Sequence, residues 1–233
     1  MTMWEMRVLT QTAEHILRIA PAGIPRATVL IVPPLFEEAN RTRRTLVLAM
    51  RALAAEGFAA VLPDLPGHNE SLVPLVEVDL ARWQDALAEV ISGIDGPTII
   101  ASFRGGALID HKAKAAAWWR LAPVGGASLL RTLMRARVSA DREAGVASSL
   151  EALQDEAKSG PLLLAGNHLS SAMVAQLGTS EAQGVEPLRS VGLGADGIAG
   201  TPLWLRAEPG EDAAMAEAIA ADISAWSKTC GVS

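Results

Sequence analysis

The sequence predicts an α/β domain in which a mostly parallel central sheet is flanked by helices. Three observations carry that expectation. Short apolar runs rich in β-branched residues alternate with amphipathic stretches of helical period. The runs are apolar at successive positions, as strands buried on both faces are. Polar loops follow the ends of those runs, where open α/β sheets carry their sites. A chain of 233 residues with 50% hydrophobic content can fill one core and is short for two, so a single domain is expected over 1–233.

Taken in order, RVLTQ and HILRIAPA read as an entry hairpin, and ATVLIVPP as a buried strand ended by Pro33 and Pro34. RTRRTLVLAMRALAAEGF has helical spacing, with Leu46, Met50, Leu53 and Ala54 on one face and Gly57 as its stop. AAVLPDLPGHNES is a buried strand with a polar loop at its carboxyl end, VDLARWQDALAEVISGID a second amphipathic helix, and PTIIASFRGG a third core strand. GALIDHKAKA is expected as a helix and AAWWRLAP as a strand, with Trp118 and Trp119 on opposite faces. A helical excursion through GGASLLRTLMRARVSADREAG and SSLEALQDEAKSG is expected to form a small helical cap at about 125–160. Within it Arg131 and Arg135 share one face, read as solvated. PLLLAGNHLSSAMVAQL leads from an extended segment into a helix capped by Ser170 or Ser171. LRSVGLGAD and PLWLRAEPGED are expected as the last two strands, and DAAMAEAIAADISAWSK as a closing helix.

A net charge of −6 argues against a nucleic-acid backbone or an anionic membrane surface as the main partner. No window reaches the roughly 18 uninterrupted apolar residues of a membrane span, and MTMWEMRVLTQ lacks the basic-then-apolar plan of an export signal, so a cytoplasmic protein without membrane insertion is expected. The single cysteine, Cys230, excludes an internal disulfide and a thiolate cluster. No two histidines stand at metal-ligand spacing, and GLGADG at 192–197 lacks the full dinucleotide-loop spacing, so neither metal nor cofactor is expected. The oligomeric state is left open.

The chemistry centres on ASFRGGAL, residues 101–108. A strand, a sharp turn and a helix with small residues on both sides of one central residue is the plan of a nucleophile elbow. Centring the plan on Arg104 puts Ser102 and Gly106 at the flanks and Gly105 where a backbone N–H faces an oxyanion. Centring it on Ser102 puts the long Arg104 side chain where the chain must cross itself tightly, which fails on sterics.

Together, PPLFEEANRTRR at 33–44, VLPDLPGHNES at 61–71, SFRGGALID at 102–110 and LLAGNHLSSAMVAQL at 163–177 resemble the α/β-hydrolase fold, and within it the second type of exosortase A system-associated hydrolase. The family's acidic pair, asparagine and two arginines are matched by Glu37, Glu38, Asn40, Arg43 and Arg44, and its elbow arginine by Arg104. Pro33 stands where the family's oxyanion-side loop starts with histidine, and the chain is short between 180 and 202. The resemblance implies a protein linked to exopolysaccharide production and surface-protein sorting, with ligand-contacting positions at Leu35, Phe36, Asn40, His68, Arg104 and Gly105.

A serine hydrolase of this fold needs nucleophile, acid and histidine in that chain order. The four histidines are 15, 68, 111 and 168, and none follows the last expected strand. His68 reads as a loop histidine shaping the site entrance. His168 reads as a site-wall residue, with Asn167 and Ser170 able to bond it or a ligand. On the expected strands the three triad positions are Arg104, Asp196 and Glu208. Arginine cannot be deprotonated into a nucleophile, since its pKa exceeds about 12, but it forms bidentate ion pairs. The expectation is therefore a triad site turned into a salt bridge, with Asp196, Glu208, Glu37 or Glu38 as partner, in a protein with a binding, accessory or regulatory role. The alternative is an active ester or thioester hydrolase using His168, the Glu37/Glu38 pair and Arg104 as electrophile. A docking role for the cap surface is a third. The ligand classes in view are a small anion, held by Arg104 at a helix N-terminus, and a carbohydrate-derived molecule.

Overall fold

The computed structural model of the protein describes residues 1–232. The chain opens with an antiparallel hairpin, β1 (Thr2–Leu9) and β2 (Thr12–Ile19). Its two-residue turn, Thr10 and Gln11, has φ of 47° and 70°, the left-handed pair that matches the twist of the flanking strands. β3 (Thr28–Val32), β4 (Ala59–Pro63), β5 (Thr98–Phe103) and β6 (Ala117–Leu121) follow as short strands buried along their whole length. A small separate hairpin, β7 (Leu162–Leu164) and β8 (Asn167–Leu169), precedes the last strand, β9 (Leu188–Val191). The sheet runs β1-β2-β4-β3-β5-β6-β9; β3, β4, β5, β6 and β9 are mutually parallel, and only the entry hairpin is antiparallel.

Crossover helices cover both faces, which is why the central strands carry apolar residues on both sides. α1 (Glu37–Ala55) buries Leu46, Met50 and Leu53, and Gly57, at φ 88°, turns the chain into β4. α2 (Leu80–Ser92) starts at Asp79, whose carboxylate accepts the Arg82 amide and satisfies one of the free donors of the first turn. Between β6 and β9 come α3 (Gly126–Glu143), α4 (Leu150–Ser159) and α5 (Ser171–Thr179), the last capped by Ser170, which accepts the Met173 amide. α6 (Ala213–Thr229) closes the chain. One core gathers α2, α3 and α5 against the face bearing Trp118; the other gathers α1 and α6 against the face bearing Trp119. Arg131 and Arg135 lie on the exposed side of α3.

Two expected elements differ. GALIDHKAKA is not a helix: a single 3₁₀ turn, 104–108, is followed by irregular chain to β6. Asp110 supplies the reason, because its carboxylate turns back into the sheet. It accepts the Ser102 hydroxyl at 2.7 Å and the Arg120 guanidinium at 2.9 and 2.6 Å, and its carbonyl accepts the Trp118 indole. Ser102 and Arg120 are register partners on β5 and β6, so the fully buried Asp110 closes a network that an α-helix would pull apart. PLWLRAEPGED is likewise not a strand. It contains a 3₁₀ turn at Leu203–Leu205, and β9 is left as the sheet edge. Pro202 and Pro209 lack the amide protons a strand would donate. The segment is tied instead to α1, through the Arg41 bond to the Trp204 carbonyl at 2.9 Å, the Asp212 amide on Thr45 at 3.1 Å, and an Arg44–Glu211 ion pair.

Among the described residues, no helix is long and apolar enough to cross a membrane.

Candidate functional site

The elbow keeps its backbone and carries Arg104 at its central position. Arg104 follows β5 directly and has φ 53°, the left-handed conformation that costs a non-glycine residue about 1–2 kcal/mol and that persists only where surrounding packing enforces it. Gly106 is what allows the crossing: a Cβ there would lie 2.6 Å from the Pro33 carbonyl oxygen and 2.8 Å from that of Val32. Leu35 and Leu129 close over Gly105, where an added Cβ would meet Leu129 at 3.0 Å.

All three nitrogens of the Arg104 guanidinium donate to protein acceptors. Its Nε and Nη2 each donate to Glu38 at 3.2 Å, a bidentate pair, and Nη1 donates to the Ala122 carbonyl at 3.2 Å. The plane lies over the Trp204 ring, 4.6 Å from its centroid. The side chains of Arg104 and Glu38 are 19% and 10% exposed, so the pair is largely desolvated. Burial pushes the Glu38 carboxyl above its ordinary range and outweighs the opposite pull of Arg104 and Arg41. Glu38 is placed for this by sitting in the first turn of α1, where the helix dipole favours a carboxylate.

Of the four expected partners of Arg104, Glu38 is the one used. Asp196 is exposed in the 192–200 loop, which a Leu193–Ile198 bridge closes on itself, and Glu208 is exposed beyond the Leu203–Leu205 turn. The cause is the missing last strand: without it nothing carries Glu208 back to the elbow, and Trp204 takes that place. His168 is also displaced from the site. On β8 side chains alternate, so Asn167 turns inward while His168 faces solvent. His111 lies in the irregular chain after the elbow, not in a helix.

Beside the elbow a polar cavity of about 260 Å³ opens beyond the carboxyl ends of β3 and β4. Three segments build it: Phe36, Glu37 and Asn40 at the start of α1, Gly67, His68 and Asn69 after β4, and Ala165, Gly166 and Asn167 in the β7–β8 turn. Phe36 takes φ 59° to turn the chain from β3 into α1, and its ring meets His68 edge-on at 5.9 Å. The His68 ring stacks on Trp83 at 4.7 Å; burial lowers its pKa to about 4, so it is neutral at pH 7, and its Nε2 has no partner among the described residues. Glu37 accepts a hydrogen bond from the Asn167 amide, and burial raises its carboxyl as well. No Arg or Lys lines the cavity among the described residues. The cavity thus offers a carboxylate, three amides and an imidazole at the place where open α/β sheets bind ligands.

Leu35, expected to contact ligand, is fully buried beneath Gly105 and belongs to the core. Asn167, read from the sequence as able to bond His168 or a ligand, lines the cavity, whereas sequence reasoning passed over Trp204 as the cover of Arg104. It also passed over the Ser102–Asp110–Arg120 network, for which a charged residue within the apolar strand AWWRL was the available signal.

No family model matches the chain, and no curated protein matches it. Among solved structures it is similar to Est1E from Butyrivibrio proteoclasticus with bound ferulic acid, at 14% identity and a TM-score of 0.54, over 82% of this chain and 78% of that one. It is also similar over a smaller part to epoxide hydrolase I of potato (Solanum tuberosum), at 18% identity and a TM-score of 0.43, over 52% of this chain and 40% of that one. An epoxide hydrolase from Vigna radiata is comparable, at 18% identity and a TM-score of 0.42, over 52% and 39%. The chain spans about two fifths of the length of these epoxide hydrolases. With its parallel sheet, strand order and elbow, the protein has an α/β-hydrolase fold.

Proposed function

We propose that this protein is a non-hydrolytic member of the α/β-hydrolase fold that binds a small uncharged ligand and serves as an accessory or regulatory component, in exopolysaccharide production and surface-protein sorting of the exosortase type. One observation carries the first part: the nucleophile's post is held by Arg104, which is clamped to Glu38 and covered by Trp204. Ser102, the nearest hydroxyl in the chain, is fully buried and donates to Asp110, so it is no nucleophile either. The four segments around Glu37, His68, Arg104 and Asn167 that resemble the exosortase-associated hydrolases support the pathway.

Of the two ligand classes the sequence leaves open, the cavity favours the carbohydrate-type one. Arg104 is occupied by its own carboxylate, and a cavity holding Glu37 and no cation repels anions. Paired amides and a carboxylate instead match vicinal hydroxyl or acetamido groups, which donate and accept together. A volume of about 260 Å³ holds about nine waters at liquid density, the scale of one sugar ring. Ligand-observed NMR with neutral and N-acetylated monosaccharides on one side, and sulfate, phosphate and short carboxylates on the other, tests this. Binding of neutral sugars is expected, lost in Asn167→Ala and kept in Arg104→Lys. Binding of anions that disappears in Arg104→Lys contradicts it.

A further inference from the structure

We propose that the chain forms a two-fold symmetric dimer by antiparallel pairing of β1 with β1 of a second copy, centred on Met6, independently of what the cavity binds. β1 is an edge of the seven-stranded sheet; across its eight residues it has no Lys, no Pro and no bulge, and its two charged residues, Glu5 and Arg7, alternate onto the face opposite Trp4, Met6 and Val8. Trp4, Met6 and Val8 project from it to one side and are 54%, 62% and 71% exposed. On the same side, their neighbours Leu17 and Ile19 of β2 are buried in the core under α1 and α6. The apolar face of the sheet therefore continues past the helices that cover it, as far as the edge.

The register of the pairing can be read from the hydrogen bonds. Met1 and Ala20 exchange both of their backbone bonds, the Met1 amine donating to the Ala20 carbonyl at 2.7 Å and the Ala20 amide to the Met1 carbonyl at 2.9 Å. In an antiparallel ladder bonded and non-bonded pairs alternate. Met3, Glu5, Arg7 and Leu9 accordingly face β2, and Thr2, Trp4, Met6 and Val8 present their N–H and C=O groups to the open edge. The Asp64 amide bound to the His15 carbonyl at 2.8 Å agrees, because His15 lies opposite Met6 and points its own groups toward β4. A second β1 must therefore bring even residues opposite even residues.

Charge then selects among the centres that do so. A two-fold on Glu5 sets Glu5 against Glu5 of the other copy, and one on Arg7 sets two arginines together, both destabilising. Centres on Trp4 or Val8 leave part of the strand without a partner. The centre on Met6 sets Glu5 opposite Arg7, Trp4 opposite Val8 and Met6 opposite itself, and forms about six backbone hydrogen bonds. Glu5 and Arg7 already pair within one strand at 3.1 Å, so the dimer joins two such pairs into a ring of alternating sign. On the other face six exposed apolar side chains meet.

Sedimentation velocity over a concentration series, in a Cys230→Ser background, tests the proposal. A dimer is expected, converted to monomer by Met6→Lys, which places two ammonium groups across the axis. Met6→Cys is expected to cross-link under mild oxidation, since bonded antiparallel pairs bring Cα atoms to about 5.5 Å. Trp4→Cys is not, its two copies lying four residues apart along the strands, about 14 Å. A monomer at every concentration, a dimer that survives Met6→Lys, or cross-linking through Trp4→Cys in place of Met6→Cys overturns the proposal.

Discussion

Replacing Arg104 by Met keeps much of the apolar stem over Trp204 and removes the charge. What remains is Glu38, about 10% exposed, without its two 3.2 Å bonds, and the Ala122 carbonyl without a donor. Breaking a buried pair from one side costs about 3–5 kcal/mol. Two features reduce that here: the pair retains some solvent contact, and Glu38 escapes the penalty by taking a proton, a path that burial has already opened. The expected loss is about 2–3 kcal/mol at pH 7.5. Glu38→Gln keeps one acceptor for the guanidinium and loses about 1–2 kcal/mol. The double variant buries no unpaired charge, so the two losses fall short of adding by about 1–2 kcal/mol. The pH dependence has a definite sign. A carboxylate whose folded pKa is raised penalises the fold only when ionised, so the Arg104→Met deficit is full above that pKa and shrinks as the pH falls toward the unfolded value of about 4.3. Urea unfolding followed by tryptophan fluorescence at pH 7.5 and pH 5 reads all of this. An Arg104→Met midpoint equal to wild type, or strict additivity in the double variant, refutes a structural role for the arginine.

Three further outcomes follow from the same geometry. His68 is held at about 4 in the fold against about 6.5 unfolded, so the stability it contributes above pH 6.5 is lost as pH falls toward 4, by up to about 3 kcal/mol; His68→Gln flattens the stability curve across that window, and parallel curves contradict the assignment. Gly106→Ala forces a Cβ to within 2.6 Å of the Pro33 carbonyl oxygen and is expected to lose about 3 kcal/mol in urea titration, where a wild-type midpoint would show that the crossing is looser than described. Gly178→Ala, in α5 with nothing within 4 Å of the new Cβ, is expected to be neutral or to gain up to about 1 kcal/mol in thermal unfolding, and a loss comparable to that of Gly106→Ala would sink the steric argument.

Residues whose roles depend on local period were legible in the sequence. Leu46, Met50 and Leu53 on α1, Trp118 and Trp119 on opposite faces of β6, and Gly57 after α1 follow from spacing alone. The elbow was legible too, because a tight crossing demands small residues on both sides of Arg104 wherever the rest of the chain goes. What could not be read was the partner of each charge. Glu38 rather than Asp196 or Glu208 meets Arg104 because PLWLRAEPGED, apolar enough for a strand, is fastened to α1 by three contacts distant in sequence. The same holds for GALIDHKAKA, whose helical spacing yields to one buried carboxylate shared between Ser102 and Arg120. His168 and Asn167 show how fine the margin is: strand alternation gives the cavity to one and solvent to the other, and a one-residue shift in the β7–β8 turn reverses them.

The central claim, that the elbow no longer supports nucleophilic attack, is tested most directly by intact-mass analysis after exposure to a fluorophosphonate probe, with turnover of short-chain acyl p-nitrophenyl esters and acyl-thioesters measured on the same preparation. The account predicts an unmodified mass and no turnover above that of Arg104→Met. A single phosphonylated residue, or ester turnover that Arg104→Met abolishes, would contradict it.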